Sequence, residues 1–126
     1  MCTLKPRILC VQDQPDSCEM LSYFMNREAY DVVSASTFID GLAKALTEKF
    51  DAIILDSHLP DGSGIELCRQ IRALNHQTPI IFYSADVYPH QVEEAMQAGA
   101  TLYLTKPMAP DAVEGAIKNF LPPTLK

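Results

Sequence analysis

Short apolar runs alternate with longer stretches in which apolar residues return every three or four positions, and the alternation is repeated five times along the chain. The short runs are residues 7–12 (RILCVQ), 30–35 (YDVVSA), 52–55 (AIIL), 79–84 (PIIFYS) and 101–104 (TLYL). The first, third and fourth hold continuous apolar stretches, as strands covered on both faces of a parallel sheet require. Strands alternating with helices in this way predict an α/β fold, an open doubly wound sheet of five parallel strands with helices on both faces.

The stretches between the runs carry helix signals. Asp16 followed by Glu19 reads as a capping box that opens a first helix, with Cys18, Leu21 and Met25 on its buried stripe. In the second, Phe38, Leu42, Ala45 and Leu46 line one face; in the third, Leu67, Ile71 and Leu74 do so before the polar stretch NHQT. Gly99 ends a fourth helix containing Val92, Ala95 and Met96, because glycine readily takes the left-handed conformation just past a helix end. The last helix starts at Pro110, carries Ala112, Val113, Ala116, Ile117 and Phe120, and is stopped by Pro122 and Pro123.

Composition adds limits. A chain of 126 residues suits one domain, and 48% hydrophobic with 21% charged residues argues against both disorder and a fibrous repeat. A net charge of -6 opposes direct contact with nucleic acid or anionic lipid. The start, MCTLKPRILC, has no signal-peptide pattern, so a cytoplasmic protein is expected. Cys2, Cys10, Cys18 and Cys68 form no C-x-x-C pair; they read as reduced thiols, small buried hydrophobes without chemistry of their own. Little chain follows the last helix, so action through a partner is expected rather than through an attached output domain.

In an open α/β sheet, ligands bind beyond the carboxyl ends of the strands. That rule selects Asp13 after the first run, Asp56 after the third, Ser84 at the end of the fourth, and Lys106 beside Pro107 after the fifth. Two carboxylates brought together call for a cation, and a hard divalent ion with oxygen ligands, Mg²⁺, answers best. A hydroxyl and an ammonium opposite them could hold phosphate oxygens, and an aspartate can be the nucleophile of phosphoryl transfer. Singly, each residue has a plainer use: Asp56 in the turn DSHLPDGSG could accept backbone hydrogen bonds, Asp13 could cap a helix, Ser84 could satisfy a loop amide, and Lys106 could simply be solvated. Their joint placement favours the chemical set.

With these residues in place the chain resembles the response-regulator receiver family, the CheY-like domains of two-component signalling, over residues 5–121. ILCVQDQPD is similar to the family's first strand with its acidic end, IILDSHLPDGSG to the phosphoacceptor strand and turn, and IIFYSAD and YLTKP to the switch-hydroxyl and lysine segments. The resemblance implies a flavodoxin-like sheet of strand order 2-1-3-4-5. It implies that Asp56 is the phosphoacceptor, and that Asp13, Asp56 and the backbone carbonyl of His58, but not its ring, hold Mg²⁺. Ser57, Ala85 and Lys106 would then surround the phosphoryl group, with Ser84 bonded to it. Ser84 and Tyr103 would form the switch, the tyrosine turning inward and reshaping the surface of the last two helices and the fifth strand. Pro107 is similar to the family's cis proline. The implied partners are a sensor histidine kinase or a histidine phosphotransfer protein as donor, and a downstream protein. Such a domain catalyses its own phosphorylation and dephosphorylation and is not an enzyme acting on outside substrates.

One residue departs from the pattern. Gln12 stands where the family usually has the first of two adjacent acids, so it would reach the metal only through a bound water. His58 and Asp86 occupy the variable positions that flank the hydrolytic water in the family. Gln12 is also the sole support for the main alternative, a receiver-like interaction module that works without phosphate. A hydrolase with an aspartyl-phosphate intermediate would want a second acid where His58 stands, together with room for a cap domain. A flavodoxin-like cofactor binder would want glycines or hydroxyls in QDQPDS.

Overall fold

The structure, a computed structural model, describes residues 6–12, 30–74, 77–85, 88–106 and 110–120. The strands are β1 (Arg7–Val11), β2 (Asp31–Ala35), β3 (Ala52–Leu55), β4 (His58–Leu59), β5 (Gly62–Ser63), β6 (Ile80–Ser84) and β7 (Leu102–Thr105). The helices are α1 (Phe38–Thr47), α2 (Gly64–Leu74), α3 (Pro89–Gln97) and α4 (Pro110–Lys118). The expected capping box at Asp16 and Glu19, with Cys18, Leu21 and Met25, lies outside the described residues, as do Asp13, Asp86 and Pro107.

Five strands form one parallel sheet in the order β2-β1-β3-β6-β7. Counted along the chain these five give 2-1-3-4-5, the order expected. The two-residue period of a strand divides the side chains between two cores. Leu9, Val11, Ile53, Leu55, Ile80 and Phe82 face α1, α2 and Ala95 of α3. Ile8, Cys10, Ile54, Ile81 and Tyr83 face Val113 and Ile117 of α4. Burial raises the phenol of Tyr30 in the second core to about 12, with a hydrogen bond to Glu114 of α4 adding to the effect.

The helix faces correct the expectation in three places. Leu46 and Leu74 are exposed. The buried face of α2 is set by Gly64, Leu67, Cys68 and Ile71, which places Leu74 roughly 70° from its centre at about 100° per residue. Leu46 lies to one side of the α1 stripe in the same way, because Gly41 is buried on the other flank. Phe120, also exposed, falls beyond the end of α4. Cys10 and Cys68 are buried thiols, neither of them in a disulfide, and burial pushes the Cys68 thiol up to about 11.

Two arginines tie down the amino ends of the strands. At the start of β1, the Arg7 N–H donates to Asp51 (2.8 Å), while its side chain donates to Glu48 (2.8 Å), Asp31 (3.2 Å) and the Lys49 carbonyl (3.1 Å). On α2, Arg72 donates to the carbonyls of Thr78 (2.6 Å) and Gly99 (2.8 Å) and to the Thr101 hydroxyl (3.4 Å).

Gly99 ends α3 as the sequence predicts. Its φ is +115°, and the N–H groups of Gly99 and Ala100 return to the carbonyls of Met96 and Ala95, both at 3.1 Å. A β-carbon there would press on the Arg72 side chain. Gly99→Ala is expected to cost about 2 kcal/mol from the unfavourable φ, and more where Arg72 is displaced. Urea denaturation measures it, and a loss below about 0.5 kcal/mol, the size of an ordinary surface change, would refute it.

Candidate functional site at the carboxyl ends of the strands

Burying a polar side chain is costly unless it is hydrogen-bonded. Among the described residues the buried polar or charged ones are Gln12, Asp56, Ser57 and Ser84. All four lie at the carboxyl ends of β1, β3 and β6, where the sheet delivers them. The ladder runs on past the strands: Gln12 N–H donates to Ala35 O, Asp56 N–H to Val11 O, and Lys106 N–H to Ser84 O (3.1, 2.9 and 2.8 Å).

Lys106 Nζ lies 3.1 Å from Asp56 Oδ2, and both side chains are largely buried. The ammonium also sits 5.4 Å from the centre of the Tyr83 ring, a favourable cation–π contact. Asp56 Oδ1 accepts a long bond from the His58 N–H (3.4 Å). Ser57 Oγ donates to Ser84 Oγ (2.8 Å) and lies 3.2 Å from Tyr103 Oη. Tyr103 is half-buried and stacks on Phe82, with ring centres 5.6 Å apart and planes 6° from parallel. Ala85, next to Ser84, is exposed, as is His58.

The turn after Asp56 is held by residues that the sequence did not mark. β4 and β5 form a short antiparallel hairpin, and Gly64, just after it, donates its N–H to Ser57 O at 2.8 Å. At its tip Asp61 accepts from the N–H groups of Phe38 (2.6 Å) and Ile39 (3.1 Å), capping α1 from 22 or more residues away. Those backbone bonds hold the Asp61 carboxyl below the usual carboxylate range. Thr37 caps α1 locally, accepting from the Asp40 N–H at 3.1 Å. A cap supplied by another loop has no such spacing to find it by.

A hard divalent cation suits the donors present. Gln12 is fully buried, and its Oε1 has no hydrogen-bond partner, while its Nε2 makes a long bond to Tyr83 O (3.4 Å). An orphaned amide oxygen at the end of β1, on the strand paired with that of Asp56, adds to the oxygen donors of the kind Mg²⁺ takes. Among the described residues no three His, Cys, Asp or Glu side chains gather as a metal cluster.

The sequence model of the response regulator receiver domain matches residues 8–118. The chain belongs to that family. This receiver domain is 36% identical over 118 residues to the alkaline phosphatase synthesis transcriptional regulatory protein PhoP of Bacillus subtilis, covering 94% of this chain and 49% of that protein. It thus spans about half the length of the curated regulators it matches. Among solved structures it is similar to the chemotaxis response regulator CheY4 of Vibrio cholerae, with a TM-score of 0.88, 28% identity, and coverage of 94% of this chain and 100% of that one. It is also similar to the BeF3-activated receiver domain of DrrB, a Thermotoga maritima protein, with a TM-score of 0.86, 29% identity, and coverage of 93% and 97%. No helix among the described residues is long and apolar enough to cross a membrane.

Proposed function

We propose that this receiver domain is a phosphorylation switch with Asp56 as its phosphoacceptor. The observation that carries this reading is the buried Asp56–Lys106 pair at 3.1 Å, flanked by three other buried polar residues at one end of the sheet. A carboxylate oxygen of Asp56 attacks phosphorus, the P–N bond of a phosphohistidine breaks, and the imidazole leaves with the bonding electrons and takes up a proton. The product is an aspartyl phosphate.

Lys106 would leave the Asp56 oxygen and neutralise a phosphoryl oxygen instead. Ser84 would donate its hydroxyl to the phosphoryl group, with Ala85 leaving space for it. Ser57, whose hydroxyl is turned to Ser84, would meet the phosphoryl group with its main-chain N–H. Asp13, Asp56 and the His58 carbonyl would hold Mg²⁺, with Gln12 joined through a water; the ion would supply charge neutralisation for the incoming oxygens.

The donor is a sensor histidine kinase or a histidine phosphotransfer protein, met in the cytoplasm, and the receiver of the signal is a downstream protein. The net charge of -6 weighs against direct contact with nucleic acid or membrane by this domain. Catalysis extends to the domain's own phosphorylation and dephosphorylation, not to outside substrates.

Intact mass after incubation with acetyl phosphate and Mg²⁺ tests the reading. One phosphoryl group is expected, absent from Asp56→Asn and from a metal-free control. No adduct, where a known receiver is modified in parallel, would favour the module that binds its partner without phosphate, for which Gln12 speaks. Restoring an acid should strengthen the metal site: Gln12→Asp is expected to bind Mg²⁺ about tenfold more tightly. Calorimetric titration of the two proteins measures this, and equal affinities would refute the assigned role of Gln12.

A further inference from the structure

Ser57 holds two neighbours by its hydroxyl. It donates to Ser84 Oγ at 2.8 Å and lies 3.2 Å from Tyr103 Oη. A serine hydroxyl has one hydrogen to give. With that hydrogen on Ser84, the bond between Ser57 and Tyr103 is donated by the phenol. The three hydroxyls therefore run head to tail, from Tyr103 to Ser57 to Ser84, and the hydrogen of Ser84 is not spent on Ser57.

Ser57 and Ser84 are buried and the Tyr103 ring lies on the fully buried Phe82, so the chain of hydroxyls sits where hydrogen bonds polarise one another most. We infer that the Ser57 side chain is the middle link of a relay that couples an anion on Asp56 to the position of Tyr103. An anion accepting from Ser84 makes Ser84 Oγ a stronger acceptor for Ser57, and Ser57 Oγ in turn a stronger acceptor for the phenol. Ser57 directly follows Asp56 in the chain, so the modified residue and the link move on one backbone segment. The inference rests on the phosphorylation reading and adds to it a positioning residue for the switch.

Tyrosine labelled with ¹³C in the ring gives signals for the five tyrosines of the chain, and the one lost in Tyr103→Phe belongs to Tyr103. In the anion-free protein, Ser57→Ala is expected to shift that signal. Adding Mg²⁺ and beryllofluoride should move the signal in the wild type, by less than half as much in Ser57→Ala, and by the wild-type amount in Ser57→Thr, which keeps the hydroxyl. Beryllofluoride should bind Ser57→Ala about 2- to 10-fold more weakly, the loss of one net hydrogen bond. An anion-free signal that Ser57→Ala leaves in place, or equal responses in wild type and Ser57→Ala, would overturn the relay. A wild-type chain that takes up neither beryllofluoride nor a phosphoryl group overturns the coupling together with the reading beneath it; the anion-free comparison then decides separately whether Ser57 holds Tyr103. Amide spectra of each variant report whether the fold is kept.

Discussion

Lys106→Ala is expected to slow phosphorylation of Asp56 by acetyl phosphate at saturating Mg²⁺ by about 100-fold, the effect of losing one preorganised charge at a transferring group. The ammonium stands 3.1 Å from Asp56 Oδ2, is largely buried, and is steadied by the Tyr83 ring, so on the proposed reading it stands where the phosphoryl oxygens would arrive. Lys106→Arg should recover only part of the rate, because a planar guanidinium cannot replace a compact ammonium in a site this close. The rate of adduct formation by intact mass measures both. A rate for Lys106→Ala within threefold of the wild type would show that the lysine is structural and that the charge needed for transfer comes from elsewhere.

The second large effect falls on stability. A β-carbon at Gly64 would collide with the Asp56 carbonyl oxygen and crowd the Ser57 backbone, and neither neighbour can escape by rotating a side chain. Gly64→Ala should cost about 3 kcal/mol or more, at the upper end of the range for overpacking. That is a large share of the 5–15 kcal/mol, roughly, that holds a domain together. Two other glycines calibrate the result. At Gly62 the new carbon would meet the Phe38 ring, which can shift, so the loss should be smaller. At Gly115 on α4 nothing lies within 4 Å, and alanine should stabilise the helix by up to about 1 kcal/mol. Urea or thermal melts order the three, and a Gly64→Ala protein as stable as Gly115→Ala would mean that the turn does not fold back onto Asp56.

Much of this was legible in the sequence, and the parts that were not have physical reasons. The continuous apolar runs ILCV and AIIL marked strands covered on both faces of the sheet, and strand ends one residue off the expected bounds left the sheet order intact. The rule of carboxyl ends picked out Asp56, Ser84 and Lys106, which the sheet gathers, whereas Asp13 and Pro107 lie outside the described residues. Gly99 was found because a left-handed helix end has a residue signature. The β4–β5 hairpin, the Asp61 cap and the grip of Arg72 on two carbonyls and a hydroxyl of neighbouring loops were not foreseen. The cap and the grip join separate segments of the chain through ordinary polar residues, which carry no spacing of their own, and the hairpin strands are two residues long, too short for a period to show. Leu46 and Leu74 were misplaced because periodicity names a face but not where its centre falls.

The placing of Arg7 and Arg72 has a bearing on motion. Arg7 joins the amino ends of β1, β2 and β3 through Asp31, Glu48, Lys49 and Asp51, and Arg72 joins those of β6 and β7 through Thr78 and Thr101. Among the described residues the edge with Asp56 is joined, beyond the backbone ladder, by the Ser57, Ser84 and Tyr103 hydroxyls and the Lys106–Asp56 ion pair. Like a fan held at its pivot, the sheet is pinned by side chains along its amino rim. On the proposed reading, a displacement started at Asp56 would have that fixed base to push against and would pass across the carboxyl ends of β3, β6 and β7 to Tyr103.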